Sequence, residues 1–430
     1  MRTVQLGSLS RTERNEIVRR TAVPDDAVRT AAAAICNSIR DRGDAALAEA
    51  NEEFGGGRAA VRVPAHEIAN AAQGLAPSVA GALEAAIDSV TRYHRHQLPA
   101  DQVMQTFDGV RIERRWSPID SVGGYVPGGK AAYPSSLIMT IAPAVVAGVG
   151  RLVVATPAGP DGTISPALLG AAHLLGVDEV YAMGGAQAIA ALAYGTETIA
   201  RVDKIVGPGN AWVTAAKLAV YGVCGIDLPA GPSEVLVIAD DTAEPRLVAI
   251  DLLCQAEHGP DSPAILVTTD ADLAGDVSRE IEALLPSLDR SELLGEALEN
   301  HGLVVVADDL GAAVEFANEY AGEHVTIMTD AAEDLAKGIT GAGSIYVGRW
   351  SPESAGDYAT GANHVLPTGG LARACGPLSI ADYGSWRQVQ TITEEGLRTI
   401  GPTISALAAA EGLSAHGLAA TLRFEQGVRR

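Results

Sequence analysis

Residues 177–221 read VDEVYAMGGAQAIAALAYGTETIARVDKIVGPGNAWVTAAKLAVY. A short apolar run, Glu179–Met183, meets Gly184-Gly185 and gives way to the Ala-rich, helix-forming stretch Ala186–Tyr194. The pattern then repeats: Lys204–Val206, the turn Gly207-Pro208-Gly209-Asn210, and the helical stretch Ala211–Tyr221. The repeat distance is roughly 25 residues, the length of one strand–helix unit. Strand, glycine turn and helix in succession predict a parallel sheet with right-handed crossovers and helices on both faces.

Outward from this stretch the rhythm continues. Leu152–Ala155 precedes it, and Val235–Ala239, Ala264–Thr268, Leu303–Ala307, Val325–Met328 and Ser344–Val347 follow. Helical candidates lie between them at Pro245–Glu257, Leu273–Leu285, Leu310–Tyr320 and Ala331–Ile339. The Gly/Pro-containing segment Gly225–Glu234 separates two such α/β units. Asp25–Phe54 and the stretch from Pro77 to His96 read as helices, and Asp101–Trp116 as polar and extended. After Trp350 an irregular Gly/Pro/Asn-rich stretch runs to about Pro377. The tail regains helical periodicity in Ile404–Ala410 and Ala415–Phe424, and is too small to bury itself alone.

Composition narrows the function. The 430 residues allow about two to four domains. A hydrophobic fraction of 47% with 20% charged residues is that of a globular chain. Fifty-three acidic against 31 basic residues give a net charge of −22, which repels phosphate backbones, and 4% aromatics leave little for base stacking, so nucleic-acid binding is disfavoured. The longest apolar stretch, Leu137–Gly150, contains Pro143 and is too short for a bilayer, so no membrane association is expected. The four cysteines form no CxxC pair, and no apolar signal region is visible, which fits a cytoplasmic protein.

Several motifs carry chemistry. Gly123-Gly124-Tyr125-Val126-Pro127-Gly128-Gly129, Gly184-Gly185-Ala186-Gln187 and Gly207–Asn210 all read as glycine-rich turns. Such turns present free N–H groups and a positive helix end at the C-terminal edge of a sheet, which suits an anionic or dinucleotide ligand. No G-x-G-x-x-G is present, so plain tight turns are the somewhat better explanation of any one of them. Gln255 and His258, three apart on one helical face, could hold an ion, although such a pair is more commonly a surface feature. Glu323-His324 offers two proton-transfer groups, but at the N-terminal end of its strand, away from the usual ligand edge. Asp357-Tyr-Ala-Thr-Gly-Ala-Asn363-His364 sits on a loop where side chains can converge or merely form turns. His416 follows Glu411 by five residues in the tail, where an exposed histidine is the plainer expectation. Gln255, His258, Asp357 and His416 together would make a mixed N/O site able to accept zinc, manganese or cobalt.

In order along the chain, several stretches resemble histidinol dehydrogenase: VGGYVPGG (122–129), YPSS (133–136), GGAQAIAALAYG (184–195), VDKIVGPGN (202–210), GIDLPAGPSEVLVIAD (225–240), DLLCQAEHGPD (251–261), Glu323-His324, GDYATGANHVLPT (356–368) and AAEGLSAH (409–416). The resemblance implies oxidation of L-histidinol to L-histidine through the aldehyde, with two NAD⁺ at one site and one zinc per subunit. By motif, Gln255, His258, Asp357 and His416 correspond to the zinc ligands, and Glu323 and His324 to the acid/base pair. Ser233, His364 and Glu411 correspond to substrate contacts, with the metal ligands and His324 also facing the substrate. Tyr125, Gln187 and Asn210 correspond to NAD contacts. A homodimer follows, in which Glu411 and His416 complete the other subunit's site.

The fold implied is α/β, with two incomplete Rossmann-like parallel-sheet domains, N-terminal helices and a small helical tail. The expected boundaries are 1–118 with 236–375, then 119–235 on the NAD side, and 376–430. The chain departs from the family pattern in Ala321-Gly322 before Glu323, where a proline is more usual, and in the segment Cys375–Gln390. Competing expectations are a related zinc/NAD dehydrogenase of another amino alcohol or diol, a non-catalytic binding protein of the same fold, and a metal-dependent hydrolase using His324.

Overall fold

The computed structural model describes residues 1–128 and 132–425, so Gly129 of the first glycine motif lies outside the described residues. Contact clustering gives two compact units. One comprises residues 1–97 with 119–383, the other residues 98–118 with the chain from Gly384 onward.

The first unit contains two parallel sheets. The five-stranded sheet is built from β4 (Ser121–Tyr125), β5 (Arg151–Thr156), β6 (Glu179–Ala182), β7 (Lys204–Val206) and β8 (Gly225–Ile226), in the order β6-β5-β4-β7-β8. The six-stranded sheet is built from β1 (Arg2–Gln5), β9 (Val235–Ala239), β10 (Ala264–Thr268), β11 (Gly302–Val306), β12 (His324–Met328) and β13 (Ser344–Val347), in the order β1-β11-β10-β9-β12-β13. In each, three consecutive strands run outward from a central strand, and the next two fill its other side. This is a doubly wound sheet with a switch point beside the central strand, β4 or β9.

The central strands are buried on both faces, as crossover helices require. In β9, Val235, Val237 and Ala239 join one core with Leu252, Leu253 and Val277. Leu236 and Ile238 join the opposite core with Phe316, Ala317 and Tyr320. The five-stranded sheet is covered on one face by Gly185–Tyr194 and Ala211–Val220, on which the N-terminal helix Asp26–Arg42 packs through Ala32, Cys36 and Ile39. Asp25 starts that helix by accepting from Val28 N at 2.8 Å.

Gly123 and Gly124 do not form a turn. They lie inside β4, the central strand. A Cβ at Gly123 would meet Leu192 Cδ1 at 3.0 Å, and one at Gly124 would meet Ile141 Cδ1 at 2.9 Å. Glycine is needed here for close helix approach on both faces, which local propensity does not reveal.

The second unit holds an antiparallel sheet of β2 (Gln102–Phe107), β3 (Val110–Pro118) and β14 (Gly384–Ile392), in the order β14-β3-β2, followed by helices Glu394–Ala410 and Ser414–Thr421. The tail is therefore not purely helical. β14 exists because a hairpin far away in sequence pairs with it: Trp386 lies opposite Trp116, and Arg114 stacks 3.9 Å from the Trp386 ring. Among the described residues no helix is long and apolar enough to cross a membrane.

Candidate active site

Helix Leu310–Tyr320 ends in Ala321, which adopts a left-handed conformation (φ 50°) and turns the chain through Gly322 into Glu323 and β12. Glu323 and His324 therefore enter at the N-terminal edge of the six-stranded sheet, beside the start of β9, and both are buried. Glu323 Oε2 accepts from Ser233 Oγ at 2.6 Å and from Glu234 N at 3.0 Å. The Glu234 carbonyl accepts from His324 N at 3.2 Å and pairs with His324 Nδ1 at 3.3 Å.

A carbonyl only accepts, so Nδ1 carries the proton and Nε2 carries the lone pair. Nε2 is buried and without a partner among the described residues. Burial pushes the His324 pKa down to about 3, with His258 adding to the effect. Burial also holds Glu323 well above the usual carboxylate range, against the opposing hydrogen bonds from Ser233 and Glu234. A neutral imidazole with an unpartnered nitrogen beside a buried carboxyl is an arrangement able to do acid–base chemistry.

Next to it lies a ligand cluster. Helix Pro245–Ala256 carries Gln255 in its last turn, fully buried, with neither amide atom partnered among the described residues. His258 follows just past the helix end. Helix Glu353–Tyr358 presents Glu353 and Asp357 one turn apart. Ligand atoms of His258, Glu353 and Asp357 all lie within 4.8 Å of one another. Both Glu353 oxygens are buried without a hydrogen-bond partner among the described residues. Burial pushes the Asp357 carboxyl up to about 6 and Glu353 further above its ordinary value, where the neighbouring carboxylates add to the effect. His364 Nδ1 pairs with the Asp357 carbonyl at 3.1 Å, and burial lowers its pKa to about 4. Crowding by protein and the Arg290 charge lower that of His258.

Each unpartnered buried polar atom costs about 1–3 kcal/mol, so this group is built for something it lacks on its own. The donors are nitrogen and oxygen, and the negative end of a helix points toward them. That set fits a divalent cation of borderline hardness, which would draw the carboxyl pKa values back down. A cleft of about 730 Å³ opens onto His258 and Asp357, walled by Val79, Leu83, Ile138 and Met139.

A second cleft of about 730 Å³ lies at the C-terminal edge of the five-stranded sheet, where Tyr125, Gly128, Pro157, Gly184, Gln187 and Asn210 meet around the switch point. Tyr125 Oη accepts from Gly185 N at 3.1 Å. Gln187 Nε2 donates to Asn51 Oδ1 at 3.4 Å. Asn210 Oδ1 caps Ala211–Val220 by accepting from Trp212 N and Val213 N. The Gly207 turn before it is pinned by a buried pair. Lys217 Nζ donates to Gly207 O at 2.8 Å and binds Asp227, whose other oxygen accepts from Gly207 N at 2.7 Å. Neutral caps and free N–H groups at this edge match a dinucleotide.

The family model for histidinol dehydrogenase matches residues 18–424. The chain belongs to the histidinol dehydrogenase family. A histidinol dehydrogenase of Methanothermobacter thermautotrophicus is 47% identical over 403 residues, which cover 94% of this chain and 95% of that one. One of Vibrio parahaemolyticus is 43% identical over 431 residues, 99% of each chain. The crystal structure of histidinol dehydrogenase from Elizabethkingia anophelis matches with a TM-score of 0.92 at 37% identity, covering 98% of both chains. As a member of this family of oxidoreductases, the chain is an enzyme of the histidinol dehydrogenase type, and the family places it in histidine biosynthesis.

For a histidinol dehydrogenase family member, the distribution of the expected residues is informative. Ser233, Gln255, His258, Glu323, His324, Asp357 and His364 all belong to the first unit, as do Tyr125, Gln187 and Asn210 at the other cleft. Glu411 and His416 belong to the second unit, at the end of Glu394–Ala410 and on Ser414–Thr421, and both are exposed. Glu353 stands in the ligand cluster and was missed from sequence. Its signal was available: Glu353-x-x-x-Asp357 puts two carboxyls on one helical face, one turn upstream of where the loop motif begins.

Proposed function

We propose that this chain carries out the NAD-dependent, four-electron oxidation of L-histidinol to L-histidine through histidinaldehyde, as the last two steps of histidine biosynthesis in the cytoplasm. The observation that carries the reading is His324. Its Nδ1–H is engaged by Glu234 and its Nε2 is free, beside Glu323 and the N/O ligand cluster. Gln255, His258 and Asp357, with Glu353 beside them, would hold a zinc ion, which when bound supplies a Lewis acid able to anchor the substrate imidazole and amine. Tyr125, Gln187 and Asn210 would contact NAD⁺, which when bound supplies the hydride acceptor for both oxidations.

The side chains then divide the proton work. His324 Nε2 accepts the hydroxyl proton as the carbinol C–H bond breaks. Glu323, held through Oε2, takes a proton from water as the water oxygen adds to the aldehyde carbon. His324 Nε2 accepts a hydroxyl proton of the resulting diol in the second oxidation. The sum is R–CH₂OH + 2 NAD⁺ + H₂O → R–COO⁻ + 2 NADH + 3 H⁺. His364 and Ser233 line the substrate, and Glu411 can pair with its ammonium group when that amine is not metal-bound. Glu411 and His416, exposed on the tail, complete the other subunit's site in a homodimer. Functionally we divide the chain into 1–118 with 236–375, 119–235 on the NAD side, and 376–430.

The test is NADH formation by zinc-loaded protein given NAD⁺ and L-histidinol, with histidine quantified. Two NADH per histidine is the expected ratio. Turnover only with other amino alcohols or diols would overturn the substrate assignment.

A further inference from the structure

Glu234 holds both members of the acid/base pair, yet it does so entirely with its backbone. Its N–H donates to Glu323 Oε2 at 3.0 Å, and its carbonyl accepts from His324 N and engages Nδ1. The side chain points elsewhere, is almost fully buried, and carries a charge that must be compensated. Arg20, from the segment after helix Arg11–Val18, compensates it with a two-pronged pair, Nε to Oε2 at 2.9 Å and Nη2 to Oε1 at 2.7 Å. Gly369 N adds a bond to Oε1 at 3.1 Å.

The same guanidinium stacks on the Tyr320 ring, 3.2 Å from its centroid, and its Nη1 donates to the Tyr320 carbonyl at 2.9 Å. Tyr320 is the last residue of the helix that delivers Glu323 through Ala321 and Gly322. One side chain therefore clamps the entries of two neighbouring strands, β9 and β12, on either side of the switch point.

We infer that Arg20, acting with Glu234, is a positioning residue for the acid/base pair: it fixes the Glu234 backbone, whose N–H orients Glu323 and whose carbonyl sets the His324 tautomer. The inference rests on the proton roles assigned above. Without the clamp the Glu234 carboxylate keeps only Gly369 N at 3.1 Å and Tyr320 Oη at 3.4 Å, and the backbone N–H and carbonyl that orient Glu323 and His324 lose their strongest side-chain restraint together. Lysine does not replace arginine here, because it has neither the fork nor the planar face.

The test uses the full-length, metal-loaded protein. Arg20→Met is expected to lower kcat by about 10²-fold in both half-reactions, since small misplacements of reacting groups have effects of that size. KM for NAD⁺ and for L-histidinol should change by no more than about threefold, and bound metal should be unchanged. Because Arg20→Met leaves a buried carboxylate unpaired, the double variant Arg20→Met/Glu234→Gln and the conservative variant Arg20→Lys accompany it. Both are expected to recover most of the lost Tm while kcat stays depressed. Recovery of kcat in step with Tm would show a merely structural role and overturn the inference, as would unreduced kcat in folded Arg20→Met. Absence of NADH from the unaltered protein with L-histidinol would overturn the functional reading and this inference with it.

Discussion

The six-stranded and five-stranded sheets share one winding, yet their clefts lie at opposite edges. In the five-stranded sheet the cleft lies at the C-terminal edge, where Gly185–Tyr194 begins without a side-chain cap and Ala211–Val220 is capped by the neutral Asn210. In the six-stranded sheet the equivalent edge is filled by the chain's own carboxylates. Asp270 caps Ala271–Leu284, Asp309 caps Leu310–Tyr320, and Asp240 closes the turn after β9. A pyrophosphate would meet negative charge there. That sheet instead gathers its buried titratable groups at its N-terminal edge, where the Pro245 helix ends and β9 and β12 begin. The difference teaches that one architecture offers two kinds of site. On the function proposed above, one edge would use backbone donors to bind an anion, and the other side chains to ligate a cation and move protons.

The largest expected effect tests whether the proton work belongs to the six-stranded sheet alone. Glu323→Gln keeps the contacts of Oε2 but removes the base. The second oxidation should fall by about 10²–10⁴-fold while the first changes little. Rapid-quench separation of the half-reactions decides it, and equal loss in both would break the division of labour. Next, Gly207→Ala probes the other sheet. Gly207 has φ 113° and an added Cβ would meet the Tyr125 carbonyl at 2.2 Å. KM for NAD⁺ should rise about tenfold, with stability lowered by more than about 1 kcal/mol and metal content unchanged. A rise in KM for histidinol alone would reverse the assignment of the clefts.

A third prediction concerns pH. Burial raises the Asp251 carboxyl to about 7, and its Oδ2 has no partner among the described residues. A raised carboxyl opposes folding as pH climbs from the unfolded value of about 4 to the folded one. Asp251→Asn should therefore stabilise the metal-free protein by a few degrees in Tm at pH 8, with the gain growing from about pH 4, complete above about pH 7 and absent below pH 4. Calorimetry across that range checks it, and a gain largest at acid pH would refute it. The smallest effect sharpens the comparison: Asp309→Ala should cost about 1 kcal/mol of stability by loss of a cap, while leaving KM for NAD⁺ unmoved. A changed KM would mean that the six-stranded sheet's own C-terminal edge does touch the cofactor.

The alternation that makes the fold is local, and every apolar run from Leu152 to Val347 read as a strand is one. What escaped the sequence depends on distant partners. β1 adds to the edge of a sheet whose other strands begin at Val235. β4 hides behind two glycines that helix packing demands, and β14 answers a hairpin formed by residues 102–118. The site divides in the same way. Gln255, His258, Asp357 and His364 were legible only as residue types able to ligate, since each also has an ordinary use as a surface pair or turn, and the fold is what brings them together. The edge rule argued against Glu323-His324, since it describes ligands held by backbone and helix dipoles and not chemistry done by side chains. Arg20 and Glu234 were invisible, because their meeting spans more than two hundred residues of chain.

The apolar wall of the cleft beside His258 and Asp357 includes Val79, Leu83, Ile138 and Met139, on helices Pro77–Arg95 and Pro134–Ala147. None of these residues hydrogen-bonds Glu323 or His324, and neither helix supplies a member of the ligand cluster. On the proposed function, the apolar part of the cleft wall and the proton-handling groups thus sit on separate pieces of chain. A lineage selected for a bulkier or shorter alcohol can trade side chains along those two helices and leave the proton-handling core as it found it.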